Sequence, residues 1–170
     1  MLSIQAVQPD QIAELAHLGR RTFSEAFYHD NTPSDIEHYL DHAFAKAHIR
    51  SQYENPNCHF FFAVCQGQNI GYLKLNTDEA QTEFQEKHGL EIERIYIASG
   101  EQGKGYGHQL LEFAENYAHK LDKNYIWLGV WEYNPRAIAL YERFGFSKFD
   151  THIYHIGNDA QTDYLMRKYV

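Results

Sequence analysis

Two cysteines and four prolines are all that this chain of 170 residues contains. Cys58 and Cys65 sit seven positions apart in one strand-like run. Such spacing turns them to opposite faces, at a separation that no disulfide spans. A reduced, cytoplasmic protein is therefore expected. The shortage of proline, beside 44% hydrophobic residues, predicts an ordered chain. Long apolar runs are missing as well; none approaches the ~20 residues that a membrane-spanning helix needs, so no membrane partner is expected. The N-terminus lacks the basic-then-apolar layout of a signal peptide. Positive charge is scarce: 15 Lys and Arg against 23 Asp and Glu give a formal net charge of -8. That balance argues against nucleic acid, whose phosphates call for a basic surface. It favours a cationic partner drawn to an acidic cleft. Repeats, low-complexity segments and linkers are also lacking, so residues 1–170 read as a single domain able to bury a full core.

What is present is concentrated between Glu91 and Gly107. Ile92, Ile95, Tyr96 and Ile97 predict a strand. Leu110, Leu111, Phe113, Ala114, Tyr117, Ala118 and Leu121 recur at helical spacing. Between them lies a turn rich in glycine. The first amides of a helix have no intrahelical partner, and the helix dipole adds partial positive charge there, so strand, turn and helix make an anion site. Gly103, Gly105 and Gly107 leave room for a bulky phosphate. A P-loop would need four residues between its first glycine and the Gly-Lys pair; Gly100 and Gly103-Lys104 leave two, and Tyr106 replaces the Ser or Thr that holds magnesium. A dinucleotide fingerprint starting at Gly103 fails at His108.

The segment Gln102-Gly103-Lys104-Gly105-Tyr106-Gly107 instead matches Q/R-x-x-G-x-G. Downstream, Tyr125 to Trp131 reads as a strand, and Asn134-Pro135 as the cap and first residue of a helix that Gly145 stops. Asn134, Ala137, Ile138 and Tyr141 share one face of that helix. The pattern N-x-x-A-x-x-x-Y-x-x-x-G-F, with the glycine loop before it, resembles the GNAT superfamily of N-acetyltransferases. Segments such as Gly71–Asn76, Glu91–Ile97, Trp127–Glu132 and Gln161–Asp163 look like the PaiA-type spermine/spermidine branch.

Along the chain, Leu2–Val7 alternates as a strand. One helix starts at Pro9-Asp10, and a second runs through Ile36, Tyr39, Leu40, Phe44 and Ile49. His59–Cys65 and Asn69–Asn76 predict a hairpin around Gln66-Gly67-Gln68. Residues Thr77–Gly89 read as a mobile loop or a short helix, and Phe146–Ile156 with Thr162–Val170 as a closing antiparallel pair. The order β-α-α-β-β-β-α-β-α-β-β is that of the fold the resemblance implies: α/β (α+β), a mixed central sheet flanked by helices.

The resemblance implies acetyl-CoA as co-substrate and a small-molecule amine as acceptor, with direct transfer between them. Such a site must accept a proton from the ammonium, stabilise an oxyanion and protonate the departing thiolate. Carried over, Ile95, Tyr96 and Ile97 lie along the pantetheine arm. The Ile97 amide is the candidate oxyanion donor. Gln102 to Gly107 bind the pyrophosphate, and Asn134 touches the pantetheine. Tyr141 is the candidate acid, against the plainer reading of a core tyrosine. A carboxylate within an apolar strand is unusual unless paired or functional. Glu93, given the side-chain parity of Ile95 and Ile97, is therefore the candidate base, directly or through water, with a buried ion pair as the alternative; Glu91 stands second. Phe27, Glu93 and Trp131 are candidate acceptor contacts. Gly129, inside a strand, suggests a bulge or a close backbone approach.

Eleven histidines include His38 and His42 at i, i+4 spacing, but no H-E-x-x-H follows, and no metal is expected. A polyamine is the expected acceptor. Another amine (an aminoglycoside, an amino acid or a protein N-terminus) is the first alternative, and a non-catalytic acyl-CoA sensor the second. A homodimer is a further expectation of the resemblance.

Overall fold

A computed structural model describes the backbone of residues 1–170 and every side chain except that of Tyr154. Its strands are β1 (Leu2–Ala6), β2 (Cys58–Cys65), β3 (Gln68–Asn76), β4 (Gly89–Ile97), β5 (Tyr125–Trp131), β6 (Ser147–Ile156) and β7 (Asp159–Tyr169). They form one sheet in the order β1-β2-β3-β4-β5-β7-β6. All neighbours are antiparallel except β4 and β5, which are parallel. The helices are α1 (Ile12–Phe27), α2 (Pro33–Ala43), α3 (Lys46–Glu54), α4 (Tyr106–Lys120) and α5 (Pro135–Phe144). A parallel pair needs a crossover connection, and α4 supplies it.

The sheet has a hydrophobic core on each face. On one, Leu110, Leu111 and Ala114 of α4 and Tyr141 of α5 pack on Leu73, Leu75, Ile92 and Leu128. On the other, Ile12, Leu15 and Phe23 of α1, with Ile36 and Leu40 of α2, cover Phe60, Phe62 and Tyr72. The alternation of strand side chains makes this possible, since odd and even positions face different helices.

Where the chain departs from sequence expectation, tertiary packing wins. The helix expected to run from Ile36 to Ile49 is two helices. Phe44 ends α2 and Ala45, in extended backbone, starts α3. No glycine or proline marks the break. It lets Phe44 enter the core against Phe23, with the Arg94 guanidinium 4.6 Å above its ring. Gly19 of α1 makes room, because a Cβ there would lie 2.7 Å from the Phe44 ring.

Thr77–Gly89 holds one short 3₁₀ turn, Asp78–Ala80, and is tied down rather than loose. Trp127 Nε1 donates to Gln81 Oε1 at 2.8 Å, and the Tyr125 hydroxyl donates to Glu86 Oε2 at 2.7 Å. Gly129 carries no bulge: Leu128, Gly129 and Val130 pair in step with Met166, Leu165 and Tyr164. The bulge that bears on the site is in β4. Lys74 of β3 pairs with Arg94 and the next residue, Leu75, with Ile92, so Glu93 is the extra residue.

Candidate active site

Parallel pairing of β4 with β5 runs from Gly89–Tyr125 to Glu91–Trp127 and stops. Beyond it the strands diverge, and the gap opens into a cleft of about 720 Å³ that reaches both faces of the sheet. The Ala98 amide donates to the Ile70 carbonyl at 2.8 Å, towards β3. Alternation then sends the Tyr96 backbone to β3 as well, and those of Ile95 and Ile97 into the gap. Tyr96 thus differs from its two neighbours. Its side chain lies on the α1 face, stacked near Tyr72 with ring centroids 5.9 Å apart.

At the α4 end, the loop is shaped by glycine. Gly103 and Gly105 both have φ +81, a left-handed conformation that costs other residues energy. Gly107 sits where a Cβ would meet Leu140 at 3.2 Å, so its absence lets α4 and α5 approach closely. Gln109 N–H, donating to the Gly105 carbonyl, makes the first intrahelical bond, leaving the amides of Tyr106, Gly107 and His108 free for an anion. Gln102 Nε2 donates to the Ile97 carbonyl at 2.9 Å, and Arg136 Nη1 donates to Gln102 Oε1 at 3.1 Å, tying loop, strand and α5 together. Lys104 is exposed and pairs with Glu101. A cradle of free amides beside an unpaired strand edge fits coenzyme A, pyrophosphate on the helix and amide-bearing arm along β4.

Asn134 caps α5, its Oδ1 accepting from the Ala137 amide at 3.2 Å. Tyr141 is buried and lines the cleft. Its hydroxyl has no hydrogen-bond partner among the described residues, and burial pushes its pKa up to about 12. At neutral pH it therefore holds its proton, as a donor must.

The opposite end of the cleft, under α1 and α2, is walled by aromatic rings. Phe27 meets Trp131 edge-on at 6.4 Å and Phe23 at 4.6 Å, and Phe23 stacks on Tyr39 at 4.8 Å. Carboxylates complete it. The bulge overturns the parity expected of Glu93: its carboxylate joins Lys74, Asn76 and Arg94, on the face away from Ile95 and Ile97. It forms an ion pair with Lys74, accepts from Asn76 Nδ2 at 2.6 Å and lies 3.6 Å from Arg94 Nε. Burial pushes its pKa up, but Lys74 and Arg94 together outweigh burial and hold it below the usual range. Glu93 is thus the charge partner of two buried cations.

Glu91 stands differently. It is 3% exposed and accepts hydrogen bonds from the Thr82 amide at 2.8 Å and Asn76 Nδ2 at 2.9 Å. No cation pairs with it among the described residues. Burial, with the Glu93 charge adding to it, raises its pKa to about 6. A carboxylate that exchanges a proton near neutrality, inside a cleft, has the properties of a base.

The sequence reading did not single out Glu83, His152 or Asp163 as site residues. All three line the cleft; the Glu83 carboxylate contacts His152 Nδ1. The polar run Thr77–Gly89 was the available signal for Glu83. Asp163 lies in the Gln161–Asp163 segment of the family resemblance, which carries no role for its side chain; nothing local marks His152, and the two meet because β6 and β7 pair.

A splayed parallel pair joined by an anion-binding loop and helix, with a capped helix behind, defines the class: an acyl-CoA N-acyltransferase fold. Comparison with known proteins is more specific. The model of the Acetyltransferase (GNAT) family matches residues 23–146, and the chain belongs to that family. It is similar to an uncharacterized N-acetyltransferase from Lactobacillus delbrueckii subsp. lactis, 37% identical over 167 residues, covering 98% of this chain and 96% of that protein. A spermine/spermidine N(1)-acetyltransferase from Bacillus subtilis is 30% identical over 93 residues, 52% of this chain and 61% of that protein. The crystal structure of PaiA N-acetyltransferase from Thermoplasma acidophilum in complex with coenzyme A superposes with a TM-score of 0.81 at 18% identity, covering 100% of this chain and 99% of that one. The chain is thus an acetyl-CoA-dependent N-acetyltransferase, and acetyl-CoA is its co-substrate.

Proposed function

We propose that this enzyme acetylates a primary amine of a polyamine, spermidine or spermine, by direct transfer in a ternary complex. The observation that carries this reading is the acceptor end of the cleft. Glu83, Glu91 and Asp163 line it between the rings of Phe27, Tyr39 and Trp131. Carboxylates take ammonium groups, and aromatic and apolar walls take the methylenes between them. The partial relationship to the Bacillus subtilis enzyme supports the same acceptor class.

Acetyl-CoA supplies the thioester. The protein's part is to position and to move protons. The Gly103–Gly107 loop and the amides opening α4 hold the pyrophosphate, and the edge of β4 at Ile95 and Ile97 aligns the arm. The Ile97 amide faces the gap, where it stabilises charge developing on the acetyl oxygen. Glu91 takes the proton of the acceptor ammonium, directly or through one water. Glu93 remains ionised against Lys74 and Arg94, and Tyr141 donates its proton to the departing sulfur. Neither cysteine nor any serine lines the cleft, so no covalent acetyl-enzyme is built into the site.

The test is free-thiol release from acetyl-CoA against spermine, spermidine, putrescine, an aminoglycoside and a peptide amine. Turnover of spermidine or spermine near 1–10³ s⁻¹, well above the others, supports the reading. A higher kcat/KM for the aminoglycoside or the peptide would replace the acceptor.

A further inference from the structure

One carboxyl at the acceptor end takes no part in the proton transfers described above. Asp163 lies on β7, across from Trp131 of β5 on one side and His152 of β6 on the other. Its side chain reaches over Gly129, whose Cβ, if it had one, would lie 3.5 Å from Asp163 Oδ2. Because Gly129 has none, the carboxyl overlooks open cleft. Asp163 is partly buried, and among the described residues nothing hydrogen-bonds or ion-pairs with it; its neighbour His152 is engaged by Glu83. Burial raises its pKa to about 6, with the Glu83 charge adding and His152 opposing. A carboxyl withdrawn from water without a partner is an energetic debt that a cation entering the cleft would remove.

We propose that Asp163 is a specificity-determining residue that receives the second, non-reacting ammonium of the acceptor. The inference rests on the polyamine reading and deepens it. Glu91 is level with Trp127 in the sheet, whereas the Asp163 carboxyl stands over Gly129, two residues further along β5. At a rise of about 3.3 Å per residue and about 4.8 Å between neighbouring strands, the two positions are roughly 8 Å apart. Two nitrogens joined by four methylenes are on the order of 6 Å apart when extended, from bonds of about 1.5 Å. A butane-1,4-diamine unit therefore spans from the proton acceptor to Asp163, with its methylenes on the floor left bare by Gly129 and against Trp131. With a hydrogen bond of about 2.8 Å at each end that unit has slack to reach both carboxyls; two methylenes, with nitrogens only about 4 Å apart, have much less, and a monoamine reaches one end only.

The experiment compares kcat/KM for 1,4-diaminobutane, spermidine, 1,2-diaminoethane and n-butylamine in the wild type and in Asp163→Asn. The substitution keeps shape and removes charge. In the wild type, 1,4-diaminobutane and spermidine should exceed n-butylamine by about 10- to 100-fold, the scale of one charge-assisted hydrogen bond. In Asp163→Asn that ratio should collapse towards one, through KM more than kcat. Turnover of n-butylamine by the variant certifies that it is folded. A wild type with no preference for diamines over butylamine overturns the polyamine reading, and the subsite with it. A wild type that prefers diamines, beside an Asp163→Asn that keeps the same ratio, overturns the subsite alone. An equal loss for both amines would also refute it, by making Asp163 a structural residue.

Discussion

Replacing Glu91 by glutamine removes a titrating group at nearly constant size; the amide oxygen can still accept from the Thr82 and Asn76 N–H groups, while the amide nitrogen faces the Thr82 hydroxyl, which must turn to accept. In the wild type the folded pKa of about 6 against an ordinary 4.5 is a displacement of about 1.5 units. At 1.36 kcal/mol per unit, burial and the neighbouring Glu93 charge disfavour the carboxylate by about 2 kcal/mol. Two consequences follow from the sign. For activity, kcat/KM should lose an additional proton-dependent factor as pH falls below about 6, because the base is then protonated. For stability, a raised carboxyl pKa favours the fold fully below pH 4.5, and this contribution is lost as pH rises through about 6. Glu91→Gln should therefore remove the acid limb from the pH profile of thiol release and lower the rate near pH 7.5 by about 10²- to 10⁴-fold, the usual worth of a general base. In urea at pH 7.5 the variant should be more stable than the wild type by up to about 2 kcal/mol, a gain that shrinks towards pH 4.5. An acid limb that persists in Glu91→Gln with its midpoint unmoved would refute the assignment, and the base would have to be sought elsewhere.

Tyr141→Phe should reduce kcat by about 10²- to 10⁴-fold while the KM for acetyl-CoA stays close to wild type; full turnover would end its role as acid. Lys74→Met leaves the Glu93 carboxylate with Arg94 as its one cation among the described residues and should cost up to about 3–5 kcal/mol in denaturant unfolding. Adding Glu93→Gln should cost less than it does in the wild type, although Arg94 then lacks its carboxylate, and strictly additive effects would show that Lys74 and Glu93 are not coupled. Gly105→Ala forces a side chain into φ +81. It should lose roughly 1–2 kcal/mol of stability and raise the KM for acetyl-CoA, which calorimetric binding of coenzyme A checks independently.

The cofactor half of the site was legible in the sequence because it is local. A strand, a glycine turn and a helix start occupy seventeen consecutive residues, and their chemistry follows from backbone geometry. Asn134 and Tyr141 are likewise set by one helical repeat. The acceptor half is assembled from distant pieces, with Glu83 on a loop, Glu91 on β4 and Asp163 on β7. Glu93 shows why pattern alone misleads there. Counting by twos from Ile97 places it with the isoleucines, but one bulge at that position moves its carboxylate across to Lys74. Nothing in residues 91–97 announces the bulge. The break at Phe44 was hidden for a related reason, since it answers to a ring buried against α1 and not to any helix-stopping residue.

The gap between β4 and β5 perforates the sheet, so in the ternary complex proposed above donor and acceptor approach from opposite sides and meet inside it. Neither has to leave for the other to arrive, which makes the order of binding a matter of rates rather than of access. It also means that one molecule could thread the opening: coenzyme A on the α4 side joined through its sulfur to a diamine on the α1 side. Tethering the two halves would turn the second binding event into an intramolecular one, with an effective concentration in the mM range for a short linker. A compound with only one half would have no such advantage.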